Sequence, residues 1–137
     1  MESCSINSVI IRETQALRSL LVIMEEQNKF LINNDVFGLE EIVERLGLCN
    51  KGIAEVEVER RKLVNGLPMK EVLAELNDDE LYENYRIIQK LLYAVKLQQE
   101  NNDMLIKLGL SFSTKMLNIL NPDKNSKTYN SYGKLKR

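Results

Sequence analysis

Apolar residues recur along this chain in the four-then-three spacing of helices that bury one stripe. From about Ser5 to Asn33 the stripe is Ile6, Ile10, Leu17, Leu20, Met24 and Leu31, with Glu13 and Gln27 at its two polar interruptions. A second series, Val9, Ala16, Ile23 and Phe30, repeats every seven residues beside it and widens the stripe enough to face two neighbours. Ser5 or Ser8 can cap the start, and Asn33-Asn34-Asp35 punctuates the end. Asp35 then caps a second predicted helix, from about Val36 to Asn65, with Leu39, Ile42, Leu46, Cys49, Ile53, Val56 and Leu63 on one face. Gly38, Gly47 and Gly52 weaken it by roughly 1 kcal/mol each relative to Ala. The alternation Glu55-Val56-Glu57-Val58-Glu59 imitates a strand, but helical spacing on both sides outweighs it. Gly66 suits a C′ residue, and Pro68 follows where a helix has already ended.

Pro68 to Leu76 reads as a short helix with Pro in its first turn and Met69, Val72, Leu73 and Leu76 apolar. Asn77 and Glu80 have capping-box spacing, so the last helix is predicted to run unbroken from Asp78 to Leu120. Its expected stripe is Leu81, Tyr85, Ile88, Leu92, Val95, Gln99, Asn102, Ile106, Gly109, Met116 and Leu120, widened by Leu91, Leu105, Phe112 and Ile119. Asn121-Pro122 stops it. The fold class is therefore all-α: an antiparallel coiled-coil-like bundle of three long helices plus one short helix over residues 1–120. Residues 121–137 are expected to form a disordered basic tail. They carry Lys124, Lys127, Lys134, Lys136 and Arg137 against Asp123, so the tail is +4 and the preceding 120 residues −5.

Composition removes most enzymes. There are 137 residues, enough for one domain, with six Gly, two Pro and neither His nor Trp. Without His the commonest general base and metal ligand are gone, and no convergent nucleophile, base or ligand set remains. No metal, no cofactor and no enzymatic activity are expected. Nineteen basic against 20 acidic residues argue against a nucleic-acid face. Cys4 and Cys49 form no metal or redox pattern and read as free thiols of a reducing compartment. The start, MESCSINSVIIRETQ, has no signal-peptide pattern, and apolar runs are too short for membrane insertion. A cytosolic protein is expected.

Helix lengths point to a binding surface. At about 1.5 Å per residue the first two helices measure roughly 43–45 Å and the last roughly 64 Å. A short link makes the first two an antiparallel hairpin, with the last running parallel to the first, so something like 15–20 Å lacks a full set of neighbours. If the helices start level, the overhang is the C-terminal third, with Leu105, Leu108, Phe112, Met116 and Ile119. A fold-back of the PMKEVLAEL helix over the other end would instead shift the whole register. Glu13, Gln27, Arg60, Gln99 and Asn102 occupy stripe positions where Leu would be more stable; specifying register or oligomer state, or simply partial exposure, is the preferred reading over a network that recognises a client or weakens packing for exchange. The run Glu55 to Lys62 is expected to be a solvated face with i,i+4 pairing. Met24 and Met69 should fill core, while Met116 suits core and an adaptable groove equally. In the tail, Tyr129 and Tyr132 are aromatic anchors among flexible charges, as in a short docking motif.

Three passages resemble one family. LGLCNKGIAEVEVERRKLVNGLPMKEVL, QQENNDMLIKLGLSFSTKMLNIL and TYNSYG are similar, in order and spacing, to the second helix, last helix and tail of the flagellar type III export chaperones of the FlgN type. In the last helix Asn102 precedes Leu105 and Ile106 by three and four; in the tail Tyr129 precedes Gly133 by four. The family often has a second Asn where Gln99 stands and a Gly where Asp103 stands. The resemblance implies a chaperone that grips an amphipathic helix of hook-associated (hook–filament junction) proteins. It also implies docking on the cytoplasmic domain of the export gate through Tyr129 and Gly133. Leu105, Leu108, Phe112, Met116 and Ile119 are then the expected client site, with weak self-association when no client is present. The alternative is a structural adaptor, a coiled coil that buries the same face against its own copy.

Overall fold

The structure is a computed structural model that describes residues 2–121. Four helices follow one another: α1 (Ser3–Ile32), α2 (Val36–Leu63), α3 (Met69–Leu76) and α4 (Asp79–Leu120). There is no strand among the described residues, and the all-α class is observed. Of the expected tail, residues 121–137, residues 122–137 lie outside the described residues. The chain divides into two compact units, Met1–Asn102 and Asp103–Arg137, each taken by itself below.

Asparagine makes the turns. At the end of α1, Asn34 adopts φ 53°, its amide donates to the Leu31 carbonyl, and the Asp35 amide donates back to Phe30. Asp35 then caps α2, accepting from the Gly38 amide at 2.9 Å. At the end of α2, Asn65 (φ 55°) stands where Gly66 was expected and Gly66 comes one residue later, its amide donating to Arg61. Asn tolerates the left-handed region because its short amide bonds locally, so it does the work expected of glycine. Asn77 (φ 46°) ends α3 rather than capping α4. Asp78 is the cap instead, accepting from the Glu80 and Leu81 amides. Neither Ser5 nor Ser8 caps α1, which begins at Ser3 with no side-chain cap.

In the first unit α1 is the central helix. Ile6, Val9, Ile10, Leu17, Leu20 and Met24 are buried on it, whereas α2 buries only Gly38 and Ile42 fully and half-buries Leu39, Leu46, Cys49, Ile53, Val56 and Leu63. The α1–α2 hairpin is antiparallel: Arg12 pairs with Glu59 and Glu26 with Arg45, each at 2.5 Å. The first part of α4 runs parallel to α1, with Asn7 level with Asn84 and Met24 level with Asn102. α3 folds over the start of this array, where Met69 and Val72 join Ile6, Ile10, Val64 and Leu81 in one core cluster. That fold-back leaves the start of α4 level with the start of α1, as the Ser3–Asp78 hydrogen bond shows. A second cluster joins Leu17, Leu20 and Met24 to Ile88 and Val95. Met24 and Met69 are core, as expected.

The stripe on α4 departs from expectation. Leu81, Ile88, Val95 and Asn102 are buried at seven-residue intervals and Tyr85 is half-buried against both clusters, as expected, but the other flanking positions turned inward are Asn84, Leu91 and Gln98. Leu92 and Gln99, expected inside, are exposed, Leu92 by 48%. Asn84 donates to Asn7 on α1, and Gln98 donates to Asn102 one turn on.

Candidate partner-binding surface

Four of the polar stripe residues in the first unit, Glu13, Gln27, Arg60 and Asn102, are partnered. Glu13 is 8% exposed and accepts from Arg60 Nε at 3.1 Å, so the interruptions on α1 and α2 meet each other. Asn102 is 2% exposed and uses its whole amide. Its Nδ2 donates to the Met24 carbonyl at 2.8 Å and to Gln27 Oε1 at 2.9 Å; its Oδ1 accepts from Asn28 at 2.9 Å and Gln98 at 3.0 Å. Both sets of contacts join neighbouring helices inside the array and suit a register role, while Gln99 is exposed, the other form of the preferred reading. The charge run on α2 is mixed. Arg61 pairs with Glu57 at i,i+4, while Arg60 and Glu59 leave the helix to reach α1.

Among the described residues no three His, Cys, Asp or Glu side chains converge as metal ligands. Cys4 and Cys49 are free thiols, and burial pushes the Cys49 thiol up. The Ser3 hydroxyl, helped by the Leu81 and Glu80 amides and by Asn7, holds the Asp78 carboxyl below its ordinary range. An open depression of about 660 Å³ beside it is lined by Ser3, Asn7, Arg12 and Asp78, among others, and there the Ser3 hydroxyl donates to the Asp78 carboxylate. None of the described helices is long and apolar enough to cross a membrane.

The second unit is described over residues 103–121, of which 103–120 complete α4. Of the residues expected to bind, Leu105 is half-buried and Leu108, Phe112, Met116 and Ile119 are exposed, Phe112 by 64% and Ile119 by 72%. At 100° per residue these five lie within about 80° of one another, on one face. Ile106, Leu110, Leu117 and Leu120 are also exposed and occupy an adjoining arc of about 80°. The apolar face therefore covers about 200° of the helix, leaving Asp103, Lys107, Ser111 and Thr114 on the polar side. Leu110 and Leu117 were missed as site residues. Their seven-residue spacing, with Leu120 three residues on, is the signal that marks the second arc. Tyr129 and Gly133 lie outside the described residues.

A family model described as FlgN protein matches residues 1–137. The chain belongs to the FlgN family. No match was found among curated proteins or among solved structures. FlgN proteins are flagellar export chaperones, which places this chain in flagellum biogenesis and type III protein export. For this FlgN protein the passages that carried the resemblance fall on α2 with α3, on α4 and on residues 128–133.

Proposed function

We propose that this FlgN protein is a cytosolic export chaperone that binds an amphipathic helix of hook–filament junction proteins on Leu105, Leu108, Phe112, Met116 and Ile119. Tyr129 and Gly133 then dock the loaded chaperone on the cytoplasmic domain of the export gate. The observation that supports this reading best is the apolar arc on residues 104–120, whose large side chains are mostly exposed. A client helix laid on that arc supplies apolar burial, and the exchange needs no nucleotide.

Phe112 and Ile119 give the test its magnitude. Burying the exposed part of each side chain is worth about 1–2 kcal/mol, so losing both contacts weakens client binding by about 30-fold or more. Introducing Asp there adds a charge that must be desolvated. Phe112→Asp and Ile119→Asp are expected to abolish binding of a junction-protein C-terminal peptide in titration calorimetry while circular dichroism stays helical. Client affinity equal to the parent's would refute the site. Tyr129→Ala is expected to spare client binding and weaken capture by the isolated export-gate domain.

The second arc, with Leu110, Leu117 and Leu120, favours one other reading: a structural adaptor that pairs with its own copy. Sedimentation with and without client peptide separates the two. Under the chaperone reading, client displaces any dimer; a dimer that persists at saturating client favours the adaptor.

A further inference from the structure

We propose that Asn102 and Asn84 set the rotational phase of α4 on α1, so that amide hydrogen bonding, rather than apolar burial, decides which seam of α4 faces the bundle. Two seams share Leu81, Ile88, Val95 and Asn102. One is completed by Asn84, Leu91 and Gln98, the other by Tyr85, Leu92 and Gln99. Position 92 follows position 91 by 100° around the helix, so exchanging seams is a rotation of about 50°. Apolar content does not choose between them, because Tyr85 is half-buried against both core clusters in the observed phase and Leu91 and Gln98 match Leu92 and Gln99. Yet the first seam is inside, with Leu91 half-buried and Leu92 exposed.

Cross-helix bonds account for the choice. Asn84 donates to Asn7 at 2.9 Å at the start of the seam. At its end Asn28 donates to both Asn101 and Asn102, and Asn102 donates to the Met24 carbonyl and to Gln27. Asn84 and Asn101 both lie on the first seam's side of the shared line, so a turn toward Leu92 carries both away from their partners. Gln98, on the same helix as Asn102, orients the hub by donating to its oxygen. Because Asn102 is 2% exposed, bonds it loses are not replaced by water. Asn102 and Asn84 are positioning residues: they turn Leu92, in heptad register with Ile106, away from α1. That this outward seam serves a client rests on the function proposed above, but the phase itself can be measured with no partner present.

Hydroxyl-radical footprinting of the full chain, read residue by residue, reports the phase as the Leu92-to-Leu91 oxidation ratio. The parent is expected to give about twofold or more. Asn102→Leu, a change at a position both seams share, should bring the ratio to about one, since apolar burial then governs and favours neither seam. Adding Gln98→Leu makes the first seam the more apolar and should restore the parental ratio, a rescue that general damage to the bundle would not give. Melting followed by circular dichroism checks folding, and Asn102→Ala, with the same expected fall in the ratio, takes the place of Asn102→Leu if the latter does not fold. A parental ratio in the folded Asn102 variant, or no rescue by Gln98→Leu, overturns the proposal. Failure of client peptides to bind the parent overturns only the proposed function.

Discussion

Removing Arg60 should damage this protein more than removing the whole ion pair to which it belongs. Glu13 occupies a position on α1 where the apolar stripe calls for Leu, and its side chain is 11% exposed against 18% for Arg60. Taking two charges this far out of water costs several kcal/mol per ion, which their attraction and hydrogen bond roughly offset. Arg60→Met keeps the packing volume but leaves a buried carboxylate without its guanidinium. A fully buried orphan costs about 3–5 kcal/mol, and the residual exposure of Glu13 reduces this to about 2–3. For a domain of this size that lowers Tm by about 10 °C. Glu13→Leu costs about 1 kcal/mol, because Arg60 still has Glu57 at 4.0 Å and more access to water. The double variant Glu13→Leu/Arg60→Met completes the apolar stripe on both helices and should melt within a few degrees of the parent or above it. Urea unfolding of all four proteins gives the coupling energy directly, expected at about 2 kcal/mol or more. If Arg60→Met loses under about 0.5 kcal/mol, or if the double variant loses the sum of the two singles, Glu13 is solvated and this pair does not set the register of α1 against α2.

Glycines in α2 divide by what surrounds them. Nothing lies within 4 Å of a Cβ built on Gly47 or Gly52, so Ala at each should stabilise by about 0.5–1 kcal/mol. A Cβ on Gly38 would fall 2.7 Å from the Phe30 ring, so Gly38→Ala should instead lose about 1 kcal/mol despite the better helix propensity, and urea midpoints check all three. The Asp78 carboxyl is held below its ordinary value of 3.8, so its contribution is present above that pH and is lost as pH falls through the lower folded value. Asp78→Asn should accordingly flatten the acid limb of a Tm-against-pH curve below about pH 3.8, and an unchanged limb would mean that the ionised cap adds nothing to stability.

Element existence was legible from spacing alone, because each long helix carries its own apolar period and each ends at Asn, Asp or Pro. What the single sequence left open was which neighbour each face meets. Asn34, Asn65 and Asn77 were visible as turn residues, but whether an Asn caps the next helix or ends the last depends on its φ, and Asp78 beside Asn77 competes for the same task. The phase of α4 could not be read from periodicity, since two seams overlap and the deciding partners, Asn7 and Asn28, lie more than 70 residues away. The large apolar side chains of residues 104–120 were legible as a group, and most of them are exposed. The second arc was not, because Ser113 falls inside it and Gly109 falls between the two arcs, which breaks the apolar series.

Polar and apolar residues divide the labour in a way that bears on release as well as binding. Apolar burial drives the first unit together, but the same burial would accept several arrangements of heptad helices, since a shift of seven residues or a turn of about 50° keeps greasy faces in contact. Glu13 with Arg60, Asn7 with Asn84 and Asn102 with Asn28 are satisfied in the observed arrangement, so each adds a penalty to its competitors. Among the hydrogen bonds and ion pairs described, the last that ties α4 to α1 is at Asn102, and the exposed apolar side chains follow directly after it, from Met104 onward. A partner held on that end gains contact area without having to break the polar pairs that fix the array. A partner that leaves that end likewise disturbs none of the buried bonds that hold the array together.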